Sequence, residues 1–275
     1  MTATDTRKGM KRFLPYALLV CILAALLPYI DSARGDFVFD DVPLIQSDPF
    51  YKQEANPLKC WERDFWKENR KQGLYRPFTL FTYWLNAKTS GLYSPAFRTT
   101  NLILHMLVGI LVFTLAMRMR LGHWPAIFAA VIFAVHPIHA EAVIPAFGRG
   151  ELLCALFLLL SLVTYSYAGR NRYAIPIAGA CFLLACWSKE HGLAALPLFV
   201  LLDLYLKRPS GRDEFTGFLK EKFPAYAFFA FVAAVFFASR YLALGTLIPS
   251  KANFDPFVDN QIALCKFPLD VISAL

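Results

Sequence analysis

Apolar residues in this chain come in long blocks rather than in amphipathic stripes, and polar groups gather in the gaps between them. Such blocks predict buried or membrane-spanning helices, because a bilayer needs about 20 apolar residues per crossing. Seven spans are predicted, at residues 13–30, 97–117, 124–138, 151–168, 173–187, 192–206 and 223–242. Several are short for a bilayer, which predicts tilt or extension past these limits. Residues 1–12 then form an N-terminal tail, 31–96 a long first loop, and 243–275 a loop leading into Phe267–Leu275, which reads as the opening of a further helix. An end there is unusual, so the sequence is expected to be the N-terminal part of a longer protein.

Charge assigns the sides. Arg7, Lys8, Lys11 and Arg12 precede the first run, Arg118 and Arg120 follow the second, Arg170 and Arg172 the fourth, and Lys207, Arg208, Arg212, Lys220 and Lys222 the sixth. These alternate loops share one side, which the bias of short basic loops makes cytoplasmic. The run at 13–30 is longer than a signal-peptide core and ends in no small-x-small cleavage site, so it reads as an uncleaved first helix. Composition agrees: of 275 residues, 57% are hydrophobic and 16% aromatic, too apolar for an ordinary soluble domain. The net charge of +8 flanks apolar runs as topology signals do, so nucleic acid is not an expected partner, whereas membrane lipid is. Cys21, Cys154, Cys181 and Cys186 fall inside apolar runs. Only Cys60 and Cys265 fall in loops, where pairing is open but unsupported.

The opposite, outer side collects the chemistry. Asp40 and Asp41 lie just past the first run, and charge so near hydrocarbon marks a functional site. Two bland alternatives are a helix cap and a turn over Asp40–Pro43. Arg76, the stretch His136–Glu141, the stretch Gly148–Glu151, the stretch Ser188–Gly192 and Arg240 face the same side. Arg149 and Lys189 break the charge bias there, unless they are interfacial snorkelers. Carboxylates, imidazoles and cations on short loops suit removal of a hydroxyl proton and support of a phosphate leaving group. His136, His139 and Glu141 have metal-like spacing, but Pro137 intervenes and no fourth ligand is evident, so no metal site is predicted. Trp61, Phe65 and Trp66 among Glu62, Arg63, Lys67, Arg70 and Lys71 predict a helix lying in the interface plane, and Phe78–Leu85 a segment re-entering the membrane edge. Asn101 and His105 read as interhelical hydrogen-bonding groups, and Asp203 as a partner of Lys207 or Arg208.

The runs "DFVFDDVPLI", "YRPFTLFTYWLN" with "NLILHMLVGILV", "HPIHAEAV" with "GRGELL", and "SKEHGLAALPLFVLLDL", in this order, resemble the N-terminal membrane half of the transmembrane O-mannosyltransferases with tetratricopeptide repeats. "RYLALG" and "VDNQIA" look like that family's next outer loop. The resemblance covers residues from about Phe13 to the end; the family's repeats and later helices are not in this sequence. It implies an all-α, polytopic C-type glycosyltransferase bundle in an endoplasmic-reticulum or bacterial inner membrane, with its site on the luminal or periplasmic side. It also implies transfer of a sugar, mannose by family, from a polyprenyl-phosphate carrier to a protein hydroxyl, with inversion. The lipid-linked sugar is a co-substrate, and no resident cofactor is expected. Asp40 and Asp41 match the family's acidic pair, with Asp41 preferred as base. By charge and side, Arg76, Arg149 and Lys189 are candidates for the donor phosphate, and His139, Glu141, Glu190 and His191 for the sugar or acceptor. Two other readings stay open: a non-catalytic anchor for interaction repeats, and a transporter of lipid-linked sugar.

Overall fold

The computed structural model describes residues 3–66, 73–209 and 211–247, with side chains from Phe13 onward. All regular structure among these residues is helical. In chain order the α-helices are α1 (Ala3–Leu26), α2 (Phe50–Gln53), α3 (Pro77–Ser90), α4 (Ser94–Arg118), α5 (His123–Val135), α6 (Ala140–Val143), α7 (Arg149–Tyr165), α8 (Ala174–Ser188), α9 (Ala195–Lys207) and α10 (Arg212–Leu244), joined by short 3-10 or π turns. Each of the seven apolar runs is thus largely helical, though α1 and α10 begin ten and eleven residues before their predicted starts.

Among the described residues three segments, fewer than the seven expected spans, are long and apolar enough by themselves to cross a membrane: Ser94–Arg118, Ala146–Tyr165 and Arg212–Leu244. A fourth arises if α5 and Pro137–Val143, bent by 49°, form one broken span. Phe13–Leu26 and α8 are apolar but shorter. Large apolar side chains such as Leu23, Phe128, Ile132, Phe231 and Leu242 stay exposed, an arrangement that hydrocarbon tolerates and water does not. Together with the apolar helices they make this a membrane protein.

The helices pack as one body. α7 lies against α4 and α8, α4 also against α1 and α5, and α8 against α10. Small residues allow the closest approaches: a Cβ on Gly179 would come within 2.4 Å of the Phe228 ring. Loops sort to two ends. At one end Phe13 meets His123 and Trp124, Arg118 donates to Ser166, and the Tyr205 hydroxyl donates to the Met119 carbonyl at 3.1 Å. Asp203, expected to pair with Lys207 or Arg208, is held there by Lys222 at 2.8 Å and by the Tyr165 and Tyr226 hydroxyls, while Lys207 pairs with Glu221. The first turns of α10 run beside α9, so cross-helix partners reach Asp203. The other end carries the first loop, the start of α7 and the α8–α9 turn.

The first loop is a small packed unit. Leu44, Ile45, Tyr51, Cys60, Phe65, Leu80, Tyr83 and Phe97 form its core. The interface-plane helix is not found in its described part. Pro57–Glu62 is a 3-10 turn, Phe65 is buried, and Trp61 packs edge-on against Trp187 at 5.8 Å. These aromatics face protein because the loop folds back on α3 and α8. Lys67, Arg70 and Lys71 lie outside the described residues, as do Cys265, the "VDNQIA" run and Phe267–Leu275. The stretch Phe78–Leu85, expected to re-enter the membrane edge, forms the body of α3, whose Thr79, Leu80 and Tyr83 are buried.

Gly148 closes the turn before α7, where a Cβ would lie 2.4 Å from the Ala142 carbonyl oxygen. That obstacle is backbone and cannot swing aside. Gly148→Ala is expected to cost about 1–3 kcal/mol, read as a lower melting temperature in detergent.

Candidate functional site

Proline organises the end that carries the first loop and the start of α7. Pro137 has no N–H, so α5 stops at Val135 and the chain turns through Pro137–His139 into α6. The Ile138 N–H, freed from the helix ladder, donates to His136 Nδ1 at 3.2 Å. A second 3-10 turn, Ala146–Gly148, then leads into α7. Its amides find their acceptor in the first loop.

That acceptor is Asp41. The side chain is 0% exposed. It accepts from Phe147 N at 2.7 Å, Ala146 N at 3.1 Å and Val38 N at 3.2 Å. Burial pushes its pKa up, and the three amides and the Arg98 charge oppose that. Arg98 is itself buried and donates to the carbonyls of Ser32 and Asp36. Phe39 adopts a left-handed φ of 48° between these anchors. The turn sends Asp40 another way: it lines a cavity of about 640 Å³, and Asp41 does not. The preferred aspartate is therefore the one used as a structural acceptor.

The cavity has a charged mouth and apolar walls. Asp40, Arg76, Glu141, Glu151, Lys189 and His139 line it together with Phe65, Val108, Phe133, Leu152 and Ala155. Arg76 Nε donates to Glu190 at 3.0 Å, and its guanidinium lies 4.9 Å over the Phe65 ring. Glu190 also accepts from Tyr75 N at 3.3 Å and faces Arg240 at 3.8 Å. Its role is to hold Arg76, from behind the lining. Lys189 pairs with Glu151. Burial and the nearby Arg76 charge push the Lys189 pKa down, against the pull of Glu190 and Glu141.

Arg149 does not reach the cavity. It is 0% exposed and turns from the first residue of α7 toward α3 and α4. Its donors go to Asn101 Oδ1 at 3.1 Å, the Thr82 carbonyl at 3.1 Å and the Phe97 carbonyl at 2.9 Å. The rings of Tyr83 and Phe97 stack on it at 4.8 and 5.2 Å. At least three of its five N–H donors are engaged by protein acceptors and the side chain is sealed from solvent. His191 also falls outside the lining; it is exposed beside Glu151, 4.0 Å away. Among the described residues no group of three or more His, Cys, Asp or Glu could hold a metal ion.

Of the predicted site residues, then, Asp40, Arg76, Lys189, His139 and Glu141 come together, and Asp41, Arg149, Glu190 and His191 stand back. Sequence reasoning grouped Glu151 with the outer-side polar stretches without naming it a site residue, read His105 only as an interhelical hydrogen-bonding group, and passed over Arg98 as the cation beside Asp41. The same side-bias that singled out Arg149 would have flagged Arg98, one turn inside α4.

No protein-family model matches the chain, and no solved structure matches it significantly. Curated proteins do. The chain is 33% identical over 207 residues to protein O-mannosyl-transferase F38B6.6 of Caenorhabditis elegans, covering 72% of this chain and 29% of that protein. It is 37% identical over 190 residues to protein O-mannosyl-transferase TMTC1 of Homo sapiens, covering 66% and 20%. Against protein O-mannosyl-transferase TMTC2 of Mus musculus it is 27% identical over 269 residues, covering 91% and 32%. The chain thus spans about a third or less of the length of these relatives.

Proposed function

The chain belongs to the family of transmembrane protein O-mannosyl-transferases, and from that premise we propose that it carries the sugar-transfer site of a multi-pass enzyme working on the luminal or periplasmic face. The donor is a polyprenyl-phosphate mannose and the acceptor a Ser or Thr hydroxyl of a protein. One observation carries this reading: a single cavity combines a carboxylate, Asp40, with two cations, Arg76 and Lys189, above apolar walls. A lipid with an anionic, sugar-bearing head needs that combination.

Asp40 takes the proton of the acceptor hydroxyl as its oxygen attacks the anomeric carbon. The bond from that carbon to the phosphate oxygen breaks on the opposite face, so the configuration inverts. The polyprenyl phosphate leaves as an anion, and Arg76 and Lys189 balance its charge. No acid has to protonate it, in contrast to the paired carboxylates of most glycosidases. His139, Glu141 and Glu151 border the space for the sugar and acceptor. Glu190 and Arg240 steady Arg76, and Asp41 ties the loop bearing Asp40 to the start of α7.

Transfer of labelled mannose from the lipid carrier to an acceptor peptide tests the reading, with the full protein in native membranes. Arg76→Gln and Lys189→Gln are each expected to raise the donor KM about tenfold or more, on the scale of one lost charge-assisted hydrogen bond. Donor binding by the parent should also weaken on the alkaline side earlier than an ordinary lysine would allow, because the Lys189 pKa is lowered. Lys189→Arg, whose guanidinium stays charged, should abolish that alkaline rise in KM. Lipid movement across the bilayer without any labelled peptide would instead indicate a transporter.

A further inference from the structure

The wall of the cavity holds a histidine that the mechanism above does not use. His105 lies on α4, one turn beyond Asn101, and is 0% exposed. Its Nε2 is 3.0 Å from the Ala134 carbonyl oxygen. That carbonyl belongs to the last turn of α5. Its ordinary partner, the Ile138 N–H four residues on, donates to His136 instead, and the N–H three residues on does not exist because residue 137 is proline. The broken helix therefore leaves an acceptor that His105 satisfies.

This contact settles the tautomer. A carbonyl only accepts, so Nε2 must carry the hydrogen, and in the neutral ring Nδ1 is left as a lone-pair acceptor. Nδ1 is buried and has no hydrogen-bond partner among the described residues. Tyr29 meets the ring edge-on at 5.3 Å, yet the Tyr29 hydroxyl donates to the His136 carbonyl at 3.0 Å and has no second proton to give. Phe133 stacks on the ring at 6.1 Å, and the His139 ring is 5.6 Å away. His105 lines the same cavity as Asp40, Arg76 and Lys189. A buried acceptor without a donor is costly, and because His105 belongs to the cavity lining, a hydroxyl drawn in there can supply the missing donor.

We infer that His105 Nδ1 accepts a hydrogen bond from a hydroxyl of the donor's sugar, making His105 a specificity-determining residue that distinguishes a glycosylated lipid phosphate from the bare carrier. The inference rests on the proposed function above and adds to it the group that reads the sugar. Phosphate recognition stays with Arg76 and Lys189 at the mouth, and the lone-pair acceptor reads the hydroxyl along the wall.

The experiment measures thermal protection of the detergent-solubilised full protein by three probes: polyprenyl-phosphate mannose, polyprenyl phosphate alone, and the monodeoxymannosyl analogues of the first. The parent is expected to bind the mannosyl lipid about tenfold more tightly than the analogue lacking the contacted hydroxyl, as one neutral hydrogen bond allows. His105→Gln keeps a donor for Ala134 but displaces the acceptor, and His105→Asn keeps an acceptor near the Nδ1 position but gives up Ala134. His105→Gln should bind mannosyl and deoxymannosyl lipids alike, with bare carrier affinity within twofold of the parent. His105→Asn should recover part of the discrimination. Equal discrimination by the parent and His105→Gln overturns the inference while leaving the transferase reading intact. A parent protected by neither lipid overturns both.

Discussion

Asp40→Asn is expected to reduce mannosyl transfer at least about a hundredfold, the lower bound for losing a general base, in a protein whose melting temperature stays near that of the parent. Asp41→Asn is expected to do the reverse. Asp40 lines the cavity, so an isosteric amide there removes the proton acceptor while keeping the side chain's volume. Asp41 faces three backbone N–H donors and is fully buried. An asparagine must turn one N–H₂ toward those donors, leaving at least one buried amide without its acceptor, at about 1–3 kcal/mol. The Asp41 variant should therefore melt earlier and yield less folded protein, while the surviving molecules keep most of their turnover per site. Labelled-mannose transfer normalised to folded protein, with thermal unfolding of the same samples, separates the two. Activity of Asp40→Asn within threefold of the parent, beside a hundredfold loss in a well-folded Asp41→Asn, would return the base to Asp41.

The pair shows where the sequence stops being informative. Two adjacent carboxylates past an apolar run say that a polar site lies at that boundary, and the apolar blocks locate the helices that surround it. Which carboxylate faces inward depends on the backbone at Phe39, with φ of 48°, and on amides more than a hundred residues away. Neither leaves a local trace. Asp203 repeats the lesson: helical spacing nominated Lys207 or Arg208, but the partners on α7 and α10 arrive by packing. Trp61 and Phe65 were legible as amphipathic but not as facing protein, since interfacial and core aromatics share one spacing. Charge and side singled out Lys189, Arg76 and Arg149 alike, yet only Lys189 and Arg76 line the cavity, since side says nothing of direction. His105 was legible as a hydrogen-bonding group, and the break at Pro137 that gives it a partner was also visible. What no pattern revealed was that its other nitrogen would be left without a partner among the described residues, in a side chain of the cavity lining.

Arg149 is the second place where direction decides, and it carries a large expected effect of the opposite kind. Arg149→Ala should lower the unfolding free energy by about 3 kcal/mol or more, through lost bonds to Asn101, Thr82 and Phe97 and an unfilled space between the Tyr83 and Phe97 rings. Asn101 Oδ1 loses a donor in the same step, and Asn101 also holds the Pro145 carbonyl at 2.8 Å, next to the turn whose amides grip Asp41. Arg149→Lys is the more discriminating variant. An ammonium keeps the charge but cannot reproduce a planar fork serving three acceptors. If the residue binds the donor phosphate, Arg149→Lys should raise the donor KM at nearly parental stability, as a change at Arg76 would. If it is the buried clamp between α3, α4 and α7, the melting temperature should fall with little change in donor KM among molecules that remain folded. The second outcome is expected, because every contact of Arg149 points into protein.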